Sequence, residues 1–167
     1  MADTNGNGNN KAEGGDSRQP QINVLGQYIK DLSFENPSAP RSLRSGGKPN
    51  IQINFNVQAQ PVGDELFEVA LTLEADATGE DGVLYNLELV YAGGFRLHNL
   101  PKEAVQPVLF IECPALLFLF VRRIVGDLTR EGGFPPLLID PIDFASLYRQ
   151  RMIQSQAEGN AASTAAQ

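Results

Sequence analysis

The side chains best suited to nucleophilic or acid–base chemistry near neutral pH are scarce: the chain holds one histidine, His98, and one cysteine, Cys113. A Ser–His or Cys–His nucleophile pair would have to use one of them, with a partner at hydrogen-bond distance. Cys113 sits at the start of a long apolar run, where a small buried thiol is the plain expectation. His98 follows a strand-like segment with no second histidine to share a metal, so it reads as a surface or capping residue. Structural and catalytic zinc sites draw on several His or Cys ligands, which this sequence lacks. Adjacent carboxylates at Asp64-Glu65 and Glu80-Asp81 fall in turn-like segments and read as solvated turns. Gly93-Gly94 is not a phosphate-binding signature, and no Walker-type loop occurs. The expectation is therefore a binding protein rather than an enzyme, with no metal and no cofactor.

The elements that position these residues lie between two polar ends. Residues 1–19 have almost no apolar side chains and residues 155–167 offer none larger than alanine, so both are expected to be disordered tails that cannot bury enough area to offset the entropy of ordering. The intervening segment, residues 20–154, is long enough for one domain with a real core. Asp3, Glu13, Asp16 and Glu158 against Lys11 and Arg18 leave the tails with −2 of the net −7, so the body carries −5. An acidic body repels nucleic acid and anionic membranes and favours basic partners. A single cysteine excludes a disulfide within the chain. There is no basic-then-apolar leader. The longest uninterrupted apolar run, Ala115 to Val121, is short for a bilayer span. A reducing cytoplasm is the expected address, without direct membrane insertion.

Alternation predicts four strands. In residues 27–35, Tyr28, Leu32 and Phe34 point one way with Lys30 among them, and Asp31, Ser33 and Glu35 point the other way with Ile29. A Pro- and Gly-rich connection over 37–49 follows. Residues 50–59 alternate strictly, with Ile51, Ile53, Phe55, Val57 and Ala59 opposite Asn and Gln. Pro61 to Asp64 read as a turn. Residues 65–75 and 83–91 repeat the alternation around a hairpin at 78–82. Gly93-Gly94 then signals a bulge or a close backbone approach. From residue 101 the period changes. A short helix over 101–110 is expected, then a longer one over 115–131 opened by Cys113-Pro114 and stopped by Gly132-Gly133, an extended linker, and a last helix from Pro141 or Asp143. Strands followed by helices define an α+β fold, a four-stranded antiparallel sheet with helices packed on one face.

Apolar surface is in surplus. The helix beginning Ala115-Leu116-Leu117-Phe118-Leu119-Phe120-Val121 is apolar all round, which calls for burial on every side. A two-layer domain cannot supply that alone, so Leu116, Leu117, Phe118, Phe120, Val121 and Ile124 are expected at a subunit interface. The polar strand faces, with Asp31, Ser33, Glu35, Glu68, Glu74 and Glu88, form a candidate acidic patch.

Three stretches carry a family resemblance. Residues 28–40 (YIKDLSFENPSAP), the Glu88 to Leu97 segment with its Gly-Gly-Phe, and residues 112–148 with Glu-Cys-Pro, Gly-Gly-Phe-Pro-Pro-Leu and Pro-Ile-Asp-Phe-Ala-Ser-Leu-Tyr resemble the SecB protein-export chaperones, in order along the folded part. The resemblance implies a homotetramer, a dimer of dimers with its long helices buried between dimers. It implies nucleotide-independent holding of unfolded secretory precursors and delivery to the SecA motor. It places motor docking on Asp31, Glu35 and Glu88. A client groove falls to Ile51, Ile53 and Phe55, to Leu87, Leu89 and Tyr91, and to Phe144, Leu147 and Tyr148. The crossover loop departs from the family: Ser45-Gly46-Gly47-Lys48 stands where members often carry a tryptophan, and the chain has none. A SecB-like chaperone dedicated to one partner such as an antitoxin, and a thioesterase-like α+β enzyme using Asp or Glu, are the competing readings.

Overall fold

The computed structural model describes residues 19–44 and 46–164, with side chains described through Ala157. The expected N-terminal tail lies almost wholly outside these residues. Four strands, β1 (Gln21–Glu35), β2 (Asn50–Gly63), β3 (Leu66–Gly79) and β4 (Gly82–His98), form one antiparallel sheet in the order β1-β4-β3-β2. The first two strands are thus the two edges. The connection between them, which includes a short 3-10 turn over Arg41–Arg44, crosses from one edge to the other past the β3–β4 hairpin. Ser38 Oγ donates to the Val83 carbonyl at 2.7 Å and holds it there.

Every strand outruns its alternating segment, because pairing continues wherever a neighbour extends. The chain does not turn at Pro61; β2 runs on to Gly63, and the reversal falls at Asp64-Glu65, with Glu65 at φ 54°. The close approach expected at the glycine pair is real: a Cβ on Gly93 would lie 2.9 Å from the Phe95 ring and 3.1 Å from Leu117.

The phase of β1 differs from the alternation read along the sequence. Bulges interrupt its pairing with β4 between Val24 and Gly26 and between Ile29 and Asp31. Directly opposed residues share a face, so Ile29, Leu32 and Phe34, opposite Tyr91, Leu89 and Leu87, lie on the core side. Tyr28, Lys30, Asp31, Ser33 and Glu35 all lie on the outer side. A bulge inserts one extra residue and resets the period. That is why a lysine sits among apolar residues and an isoleucine among polar ones in the sequence.

The helical region also departs from expectation. α1 (Lys102–Pro107), a π segment (Val108–Glu112) and α2 (Cys113–Glu131) follow one another without a break. Pro114 has no N–H for the carbonyl one turn back, and its ring would crowd that carbonyl. The helix widens just before it, and the Cys113 N–H reaches the Val108 carbonyl. This continuous helix is long and apolar enough to cross a bilayer by length and composition. Its inner ridge, however, is packed on the sheet: Cys113, Leu117, Val121, Val125 and Thr129, every fourth residue, are fully buried. Burial pushes the Cys113 thiol up to about 12, so it stays protonated and unreactive.

Gly132 and Gly133 end α2, and Gly133 takes φ 88°. The following linker is tied back through Thr129, whose Oγ1 donates to the Val125 carbonyl at 2.9 Å and accepts the Leu137 N–H at 2.9 Å. That tie steers the chain to α3 (Phe144–Thr164), which Asp143 caps by accepting the Ser146 N–H at 3.0 Å. The hydrogen bonds from Ser146 also hold the Asp143 carboxyl below the usual carboxylate range. The polar segment from Ser155, expected as tail, continues α3 as helix to Thr164.

A side chain at Gly132 would strike the Phe34 ring, which packs on Tyr85 at 5.7 Å. Gly132→Ala is expected to destabilise the fold by roughly 1–3 kcal/mol, the usual cost of overpacking. A lower urea midpoint with an unchanged slope is the expected reading.

Candidate functional site

β2 and α3 together form an aromatic cleft of about 240 Å³ at one sheet edge, lined by Phe55, Val57, Phe110, Leu147, Tyr148 and Arg151 among others. The strict alternation of β2 directs Ile51, Ile53 and Phe55 toward the helical layer, and all three remain half-buried. Phe144 is buried at the base, where it meets Phe118 edge-on at 6.1 Å, and Phe118 meets Phe55 at 6.2 Å. Tyr148 stacks on Phe110 at 6.0 Å, and Leu147 is exposed at the rim. Arg151 lies over the Phe110 ring at 5.4 Å and donates to the Val57 carbonyl at 2.8 Å, joining α3 to the edge strand.

Leu87, Leu89 and Tyr91, expected in the same groove, are placed elsewhere. They are buried in the sheet core beneath α2, with Tyr91 stacked on Phe120 at 5.9 Å. β4 is a central strand, so its apolar face is sealed by the layer that packs on the sheet. Phe110 and Arg151 were absent from the sequence reading. Arg151 sits three and seven residues after Tyr148 and Phe144, one helical stripe, and that spacing was the available signal.

The opposite face of the sheet is acidic. Register places Ser33, Glu88 and Glu74 in one cross-strand row, and Glu35, Asn86 and Asp76 in the next. Asp31 lies one row further along, opposite Val90. Asp31, Glu35 and Glu88 are all exposed and share this face, joined by Glu74 and by Asp76 from the extended end of β3. Asp76 was missed because its strand was read as ending before it.

A third surface is apolar and open. Leu117, Phe118 and Val121 are buried against their own sheet and Ile124 half-buried, but Leu116 and Phe120 are exposed and Leu119 is 67% exposed. Ile22, Val24, Ile29 and Leu32, on the core side of edge strand β1, are also exposed. Scattered apolar residues are ordinary, but a helix face and a strand sharing such residues mark an interaction surface.

His98 pairs with Glu65 at 2.8 Å on the exposed surface, whereas Cys113 is fully buried in the core. Among the described residues no three His, Cys, Asp or Glu side chains gather as a metal site. What the fold presents is extended binding surface, the property of a protein that holds other chains. The family model described as preprotein translocase subunit SecB matches residues 15–155. The chain is 54% identical to the protein-export protein SecB of Mesorhizobium japonicum over 154 residues, covering 92% of this chain and 89% of that protein. It is 52% identical to the protein-export protein SecB of Rhizobium meliloti over 163 residues, covering 97% and 95%. Among solved structures, a Mycobacterium tuberculosis SecB-like chaperone in complex with an antitoxin peptide shares the fold, with a TM-score of 0.57 at 17% identity over 72% of this chain and 90% of that one. The chain belongs to the SecB family of protein-export chaperones, a non-enzymatic family.

Proposed function

We propose that the protein holds unfolded secretory precursors in the cytoplasm without nucleotide, keeps them competent for translocation and passes them to the SecA motor. The observation that carries this is the aromatic cleft between β2 and α3, open at its rim and free of any reacting group. Clients would lie against Ile51, Ile53, Phe55, Leu147 and Tyr148, with Phe144 as the base. Apolar contact stabilises such binding by roughly 25 cal/mol per Å² before ordering costs. Each segment therefore binds weakly, and several grooves on one assembly raise the effective concentration of the next by linkage.

The assembly we propose is a homotetramer, a dimer of dimers, closed over the exposed faces of α2 and β1. The chaperone domain spans residues 20–154. Asp31, Glu35 and Glu88 form the motor-docking face, which is supported by their shared exposure on the side of the sheet away from the helices.

Light scattering of the purified protein, alone and with a reduced, unfolded precursor, tests the reading. A tetramer that forms a discrete one-client complex is expected, together with suppressed aggregation of several unrelated unfolded proteins. A monomer that ignores the precursor would refute it. Capture of a single antitoxin-like partner and no other unfolded chain would show a dedicated chaperone instead.

A further inference from the structure

A cation that the proposed function does not use, Lys30, lies beside the acidic row; Arg96, also on the outer face, is eight residues beyond Glu88 along β4, opposite Asn23. The second bulge of β1 turns Lys30 to the same side as Asp31, Ser33 and Glu35. A free ammonium there would offset the negative row that a basic partner has to recognise. It is not free. Lys30 Nζ lies 2.6 Å from Oε1 of Glu68, on β3, two strands away. The same carboxylate accepts the Tyr28 hydroxyl at 2.5 Å and the Gln60 side-chain amide at 2.9 Å. These side chains meet over β4 because it presents Ala92 and Gly94 there, opposite Tyr28 and Glu68. Three donors from both edge strands converge on one carboxylate, and the donation from Lys30 is the largest influence holding Glu68 below the usual carboxylate range.

We propose that Glu68 is a positioning residue of the docking face: it draws the Lys30 ammonium toward β3 and neutralises it, leaving the row of Asp31, Glu35, Glu74, Asp76 and Glu88 uncompensated toward a basic partner surface. The inference rests on the docking reading given above. It predicts effects of opposite sign from two substitutions at one ion pair, whereas a structural role would move both the same way.

The test is surface plasmon resonance of the full-length protein with purified SecA at low and high salt. At low salt Glu68→Gln is expected to weaken binding roughly threefold to tenfold, and Lys30→Gln to strengthen it by a similar factor. The double variant should bind within about twofold of the parent, and all differences should shrink at high salt. Glu103→Gln, which removes a carboxylate from exposed α1, should change binding less than twofold if position rather than net charge matters. Single variants that shift together or not at all, a double variant that follows one single, or an effect of Glu103→Gln equal to that of Glu68→Gln would each overturn the role of Glu68. The paired reversal Asp31→Lys with Glu35→Lys is the control. If it binds like the parent, the docking reading itself fails; if it is lost while the Glu68 pattern is absent, only the present inference fails.

Discussion

Replacing Asp31 and Glu35 together by lysine is expected to weaken SecA binding by roughly two orders of magnitude at low ionic strength, because like charges brought together at an interface cost several kcal/mol. Both carboxylates are exposed on the outer side of an edge strand, and among the described residues neither takes part in an ion pair. Lysine is a usual resident of edge strands, so the fold should tolerate the change. The cleft that would hold clients lies at the other edge of the sheet, on β2 and α3. Suppression of aggregation by an unfolded precursor should therefore be unchanged, and so should the thermal midpoint. The loss should shrink as salt is raised, since the screening length falls below about 10 Å above 0.1 M. Motor binding and client holding lost together would place the docking face elsewhere or show misfolding.

The second large effect is expected at Leu119, with its side chain pointing away from the sheet between the exposed Leu116 and Phe120. Within a protomer Leu119→Asp alters little that is buried, and unfolding measured on an isolated protomer should be nearly unchanged. Across a closed symmetric interface every copy would bury an unpaired carboxylate, at several kcal/mol each. Light scattering should then show the proposed tetramer replaced by smaller species, with the circular dichroism spectrum retained. Leu117→Asp provides the contrast. Leu117 is fully buried against its own sheet, so that change should unfold the protomer itself. A tetramer unaffected by Leu119→Asp would show that the outer face of α2 is not the interface.

Much of this was legible in the residues. The strict alternation of residues 50–59 requires a half-buried strand, since period two permits nothing else with one apolar face. The shift from period two to a long apolar run after residue 101 requires a helical layer on that sheet. The shortage of histidine and cysteine, with no phosphate-binding loop, favours surface over chemistry. Asp31 and Glu35 were correctly set on one face because the strand from Asp31 to Glu35 has no bulge.

Other features depended on contacts between segments distant in sequence. The bulge that moves Lys30 and Ile29 to opposite sides of the sheet exists only in the pairing of β1 with β4, and no single strand encodes its partner's register. Leu87, Leu89 and Tyr91 alternate as regularly as Ile51, Ile53 and Phe55. Only strand order decides that the first set lies beneath α2 while the second borders the edge cleft. The helices 101–110 and 115–131 became one because Pro114 could be accommodated by a wider turn when the inner ridge was packed on the sheet. The gathering of Tyr28, Lys30 and Gln60 on Glu68 likewise needed two small residues on the strand between them. Local periodicity follows from backbone geometry and can be read along the chain; which face is covered, and what meets across it, is set by long-range pairing and packing.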